Sequence, residues 1–101
     1  MSYEETLIND MRKLPEDRKK LDTITNAQEY KWRSRSIADR ERLLDQLTDE
    51  ERFIFEELVI NKTQGRQITQ QTGMTVSDLY AERQDIIMKL CQMRYGVVYA
   101  P

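Results

Sequence analysis

Apolar residues recur at helical spacing along most of the chain, and this pattern predicts an all-α protein. Within residues 2–13, Leu7 and Met11 share one face of a short first helix, for which Ser2 is the expected N-cap. Pro15 should end this helix, because the residue before a proline is driven out of the α conformation. The same proline can open the next helix at its first position.

Over residues 15–46 the sequence is polar and charged, with one narrow apolar stripe that includes Leu21 and Ile24. One long helix is expected here, or two helices joined near residues 34–36. A stripe this narrow favours packing against a partner helix over burial inside a globule. Residues 1–46 are therefore expected to form a long N-terminal helical arm that dimerises the protein or contacts another protein.

A well-marked helix start follows the polar segment. Thr48 and Glu51 have the spacing of a capping box, in which each side chain accepts a hydrogen bond from the backbone of the other residue. Residues 53–59 then present a broad apolar face. From this point the pattern predicts a compact domain over residues 47–95, with a short tail over residues 96–101.

The stretch from Gly65 to Tyr80 has the spacing of a helix-turn-helix. The motif needs an apolar residue and then a small residue in its first helix, and Ile68 and Thr69 occupy these positions. Gly73 is the turn residue, and the apolar residues of the turn and of the second helix are Met74 and Leu79. Glycine suits the turn because it reaches positive φ without steric cost. The pattern predicts a short helix over residues 66–72 and a second helix over residues 77–93.

Three segments together resemble one known family. A capped helix starting at Leu47, the helix-turn-helix from Ile68 to Leu79, and the closing run from Ile86 to Leu90 occur in matching order and register. Residues 47–90 resemble the promoter-binding C-terminal domain of bacterial sigma factors, and the small phage-encoded transcription regulators that share it. The resemblance implies that the second helix presents its N-terminal residues to a DNA major groove.

Residue-by-residue comparison with that family gives a set of candidate DNA contacts. The resemblance places Ser77, Tyr80, Arg83 and Gln84 in the groove. Phosphate contacts are expected from Lys62, Thr63 and Arg66, which lie before and at the start of the first helix of the motif. A basic cluster over residues 31–42 adds Lys31, Arg33 and Arg35. Trp32 lies among them, and a tryptophan among arginines can stack on bases or lie against a phosphate backbone.

The composition argues against most catalytic and metal chemistry. The chain has no histidine and one cysteine, so the usual general base near neutral pH and the commonest metal ligand are both missing. No phosphate-binding glycine loop is present. The protein is therefore expected not to be an enzyme and to hold no metal and no cofactor. No apolar run approaches the ~20 residues that span a bilayer, so a soluble, cytoplasmic protein is expected.

Two functions from different classes remain open. The first is a DNA-binding transcription regulator, encoded by a phage or mobile element, that binds double-stranded DNA as a monomer or homodimer and contacts RNA polymerase or another transcription factor. The second is a protein-binding modulator that uses the same fold to engage RNA polymerase, a sigma factor or another regulator without binding DNA. The net charge of −2, and Asp78 at a position that is basic in the family, favour the second. The basic cluster favours the first.

Overall fold

The computed structural model describes residues 2–97, and over this range the protein is all-helical, which confirms the all-α part of the prediction. The helices are α1 (Tyr3–Arg12), α2 (Leu14–Leu21), α3 (Ala27–Asp45), α4 (Asp49–Phe55), α5 (Gly65–Thr72) and α6 (Val76–Tyr95), and α4 continues into a π-helical turn at Glu56–Ile60. Of the tail expected over residues 96–101, residues 98–101 lie outside the described range.

Side-chain caps fix where most of these helices begin. The Ser2 hydroxyl accepts a hydrogen bond from the Glu5 N–H at 3.1 Å, as predicted. The predicted capping box is also confirmed, because Thr48 and Glu51 each accept a hydrogen bond from the other's backbone N–H, at 3.1 and 2.9 Å. Each cap satisfies amides that would otherwise lack an intrahelical partner.

The junction predicted near residues 34–36 is wrong, because the polar segment breaks earlier, over residues 22–26. The Asn26 side chain accepts hydrogen bonds from the backbone N–H groups of Gln28 and Glu29, at 2.9 and 3.0 Å, and so begins α3 there. Residues 34–36 lie inside α3. The apolar stripe of the sequence is therefore divided between α2, this loop and α3.

The arm expected over residues 1–46 is not confirmed, because α1 packs into the same hydrophobic core as the second half of the chain. Leu7, Met11 and Leu14 are completely buried, in one cluster with Ile54 and Leu79. This packing of α1 against α6 joins elements almost eighty residues apart in sequence. The core is closed by α4, the π-helical turn, α5 and α6, and Leu44 of α3 is completely buried in it.

Helices α2 and α3 form a hairpin that extends beyond this core. Between Leu14 and Leu44 the only buried residue is Arg40, 6% exposed. Its guanidinium donates to the Asp10 carbonyl at 2.9 Å and to the Asp17 carboxylate at 2.8 Å, and it also bonds to Ser36 of its own helix. One arginine thus ties the hairpin to the end of α1, and it is withdrawn from the basic cluster in which the sequence placed it.

The capping box gives the protein a specific response to acid. The Thr48 backbone N–H that donates to the Glu51 carboxylate, together with the Lys89 ammonium 3.1 Å away, holds the pKa of Glu51 below its usual value. A lowered pKa means that Glu51 stabilises the fold above its unfolded pKa of about 4.3, and that this stabilisation is lost as the pH falls through the folded-state value.

We therefore expect Glu51→Gln to reduce the pH dependence of stability between about pH 5 and about pH 3. Glutamine keeps an oxygen that accepts from Thr48 but carries no charge to titrate. Urea denaturation of the wild type and the variant at several pH values in this range gives the slope of the free energy of unfolding against pH. Parallel curves for wild type and variant would show that Glu51 does not contribute to the acid response.

Candidate nucleic-acid interface

Helices α5 and α6 are joined by a tight turn at the predicted place. Gly73 adopts φ 74°, the left-handed conformation expected of it, and its N–H donates to the Thr69 carbonyl to end α5. Two residues later the Thr75 hydroxyl accepts from the Asp78 N–H and begins α6. Ile68 and Leu79, the apolar residues expected at the contact between the two helices, are buried.

The first turns of α6 are accessible on the side away from the core. Ser77, Asp78 and Ala81 are exposed, and Tyr80 is half-exposed. The Tyr80 ring also lies against the start of α5, since a Cβ placed on Gly65 would lie 3.4 Å from the nearest ring atom. The exposed face of α6 and the N-terminal end of α5 therefore form one continuous surface.

Three cationic side chains lie on or beside this surface without a polar partner in residues 2–97: Lys62, Arg66 and Arg83. Arg66 is exposed in the first turn of α5, a helix that has neither a side-chain cap nor an acidic residue at its start. Arg83 is half-buried, because it lies on the same side of α6 as Leu79 and Ile87. All three were predicted as DNA contacts; Lys62 and Arg66 are exposed to an anionic partner, whereas Arg83 would have to turn outward from its half-buried position.

The loop before α5 holds Lys62 in an unusual conformation. Lys62 has φ 56°, the only positive φ at a non-glycine residue in the described range. On either side of it, the Asn61 N–H donates to the Glu56 carbonyl at 2.8 Å, and Thr63 bonds twice to Glu57, through its N–H and its hydroxyl, both at 2.7 Å. The π-helical turn and these bonds flank Lys62 in its left-handed conformation, which no local sequence pattern indicated.

Other predicted contact residues are engaged within the protein. The Thr63 hydroxyl donates to Glu57, as above, and the Gln84 amide donates to the Glu4 carboxylate at 3.2 Å, which brings the start of α1 beside α6. Arg33 forms ion pairs with Asp17 and Glu29, at 3.8 and 3.3 Å. These side chains would have to exchange an internal partner for an external one.

The remaining predicted residues, Lys31 and Arg35, lie on α3, where both are exposed and have no ion-pair partner in the described chain. The neighbouring Trp32 is 68% exposed, the largest value among the large apolar side chains of residues 2–97. Of the basic cluster predicted over residues 31–42, only these two cations are thus left free, since Arg42 pairs with Asp39.

Comparison with protein-family models, with curated proteins and with solved structures found no match to this chain. The functional assignment therefore depends on the geometry and charge of its own residues.

Two features are not found within residues 2–97. No group of three or more cysteine, aspartate or glutamate side chains is arranged to hold a metal ion. No helix in this range is both long and apolar enough to cross a bilayer.

The charge of the surface formed by α5 and α6 is mixed. Asp78 and Asp85 are exposed on the accessible side of α6, and Glu82 is half-exposed between them. A carboxylate facing a phosphate is repulsive, and the effect is strongest at low ionic strength. The accessible side of α6 thus carries three carboxylates, while Lys62 and Arg66 lie before and at the start of α5.

Proposed function

We propose that this protein is a DNA-binding transcription regulator that inserts the first turns of α6 into the major groove. The observation that carries the proposal is the exposed first turns of α6 beside the uncapped start of α5, where a Cβ placed on Gly65 would lie 3.4 Å from the Tyr80 ring. In DNA-binding helix-turn-helix proteins the second helix reads base edges while the first contacts the backbone. The α5–α6 pair has the helix order and the glycine turn that this docking needs.

Each side chain has a role set by its position and chemistry. Ser77 and Tyr80 carry hydroxyl groups in the first two turns of α6, where they can donate to or accept from base edges. Arg66 and Lys62 lie at and just before the start of α5, where they neutralise phosphates together with the free N–H groups of that helix. Arg83, one turn further along α6, provides the third cation.

A second candidate function is a protein-binding modulator that uses the same surface. The observation that favours it is the exposed pair Asp78 and Asp85, together with the Glu4 carboxylate that Gln84 holds beside α6. Carboxylates on the exposed face of α6 suit a basic protein partner better than a phosphate backbone.

The experiment that separates the two functions is titration of fluorescently labelled duplex DNA from around the gene at two salt concentrations. We expect Arg83→Ala to weaken sequence-selective binding by about 1–3 kcal/mol, since it removes one charged contact. Lys19→Ala is the matched control, because Lys19 is an exposed cation on α2 without an ion-pair partner in the described chain. It causes the same change in net charge and should leave the affinity unchanged.

A substitution of the opposite sign strengthens this test. Asp78→Asn removes a carboxylate from the accessible face and should increase DNA affinity, most clearly at low salt. Affinity that falls steeply with salt, decreases in Arg83→Ala and increases in Asp78→Asn would support DNA binding by α6. If the folded protein does not bind duplex DNA at low salt, the proposal fails and the protein-binding modulator takes its place.

A further inference from the structure

A second exposed surface lies on the α2–α3 hairpin, and it combines an aromatic side chain with unpaired cations. We infer that Lys13, Lys31, Trp32 and Arg35, here called the Trp32 surface, bind an acidic segment of a partner protein through one apolar side chain packed on the indole. This binding site goes beyond the proposed contact of α6 with DNA and does not depend on it.

The shape of the Trp32 surface provides room for such a side chain. A cleft of about 280 Å³ lies on one side of Trp32, bounded by Lys13 at the end of α1 and by Arg40 of α3. A shallower depression of about 510 Å³ lies on its other side, where Lys31 and Arg35 line it. The indole therefore stands between two concave regions, and 68% of its residue surface is exposed to solvent.

The charge of the surface selects an anionic partner. Lys13, Lys31 and Arg35 have no ion-pair partner in residues 2–97. The carboxylates that line the same cleft are already neutralised, Asp10 by Arg94 at 2.8 Å and Asp17 by Arg40 at 2.8 Å. Three uncompensated positive charges thus surround one exposed apolar side chain, which is complementary to acidic residues around an apolar one.

The Trp32 surface is too far from the first turns of α6 to be an extension of the same DNA contact. Asp10 lines the cleft and pairs with Arg94 in the last turn of α6, whereas Ser77 lies in the first turn. At 1.5 Å per residue the two positions are about 25 Å apart along the helix. A duplex that receives the start of α6 therefore leaves the Trp32 surface for another partner.

The chemistry of the cleft favours a protein segment over a nucleic-acid strand. Proteins that bind single strands provide several aromatic platforms along a continuous cationic track. Here Trp32 is the only aromatic residue among those that line the cleft and the neighbouring depression. Tryptophan and arginine are, in contrast, the residues that most often dominate the energy of protein–protein interfaces.

The fluorescence of Trp32 reports whether the Trp32 surface is occupied, since Trp32 is the only tryptophan of the chain. The probes are synthetic peptides in which aspartate and glutamate flank one phenylalanine or leucine, each paired with a version that has alanine at that position. We expect at least one apolar peptide to shift the emission of Trp32 to shorter wavelength, in a saturable way, and to protect it from acrylamide quenching. The matched alanine peptide should bind more weakly.

Arg35→Glu should reduce the affinity for that peptide by about tenfold or more, since it replaces a favourable charge pair by a repulsive one. Lys19→Glu makes the same change in net charge at an exposed site outside both depressions, and it should leave binding unchanged. Trp32→Ala, measured by calorimetry because it has lost the reporter, should abolish binding. Circular dichroism confirms that each variant is folded.

Three outcomes would overturn the inference: no peptide changes the emission of the folded protein, the alanine peptides bind as tightly as the apolar ones, or Lys19→Glu weakens binding as much as Arg35→Glu. Protection of Trp32 by a single-stranded or duplex oligonucleotide, lost in Arg35→Glu, would assign the surface to nucleic acid instead. Arg83→Ala should leave peptide binding unchanged, so failure of DNA binding by α6 can be distinguished from failure here.

Discussion

Replacing Leu7 by alanine is expected to lower the free energy of unfolding by about 2–5 kcal/mol, the usual cost of removing a fully buried leucine side chain. Leu7 has no exposed surface and belongs to one core with Leu79 of α6. The cavity left in α1 would therefore weaken the packing of the second half of the chain as well. Urea denaturation followed by circular dichroism measures the loss, which is large against a typical stability of about 5–15 kcal/mol.

The matched control is Leu21→Ala, on α2. Leu21 is half-buried and lies outside the core cluster, so less apolar area is returned to water and the loss should be clearly smaller. If α1 were instead part of an independent arm, Leu7→Ala would leave the main unfolding transition in place. Equal effects of the two substitutions would contradict the single core that the structure shows.

The parts of the fold that could be predicted from the sequence are those decided within a few residues. A capping box needs only Thr48 and Glu51 three positions apart, and a left-handed turn needs only the glycine at position 73. The break at Asn26 had a local signal of the same kind, an asparagine followed three residues later by Glu29. It was missed because the apolar spacing continued across the loop.

The docking of α1 could not be predicted in this way. Periodicity identified the apolar face of α1 that contains Leu7 and Met11, but it does not indicate which other helix packs against that face. Here the partner is α6, almost eighty residues away. The packing of α1 on α6 therefore depends on the orientations of all the helices and loops between them. A short amphipathic helix with a strong N-cap has the same sequence pattern whether it protrudes as an arm or packs into a core.

The candidate sites show the same division between local pattern and tertiary contact. The sequence placed Arg33, Arg35 and Arg40 in one basic cluster, yet they have three different surroundings. Arg35 is exposed without an ion-pair partner in the described chain, Arg33 pairs with acidic side chains, and Arg40 is buried. Glu29 pairs with Arg33 within α3, at a spacing that the sequence shows, whereas the burial of Arg40 depends on Asp17 of α2 and the Asp10 carbonyl of α1.

Arg40→Ala is expected to lower the free energy of unfolding by about 1.5–3 kcal/mol, because it removes the buried partner of an ion pair together with the charged hydrogen bonds that this side chain donates. Arg40 is 6% exposed and is hydrogen-bonded to α1, α2 and its own helix. Without it, the Asp10 carbonyl loses a charged donor and the Asp17 carboxylate keeps only Arg33, 3.8 Å away. Thermal and urea denaturation both measure the loss.

Arg42→Ala is the matched control, since it removes the same side chain two residues further along α3. Arg42 pairs only with Asp39, and 71% of its side-chain surface is exposed, so its loss should change stability by less than about 0.5 kcal/mol. Arg40→Lys separates charge from geometry, because one ammonium cannot reach acceptors on three helices as a planar guanidinium does. We expect it to recover only part of the stability. If Arg40→Ala costs no more than Arg42→Ala, the hairpin is held to α1 by contacts other than this arginine.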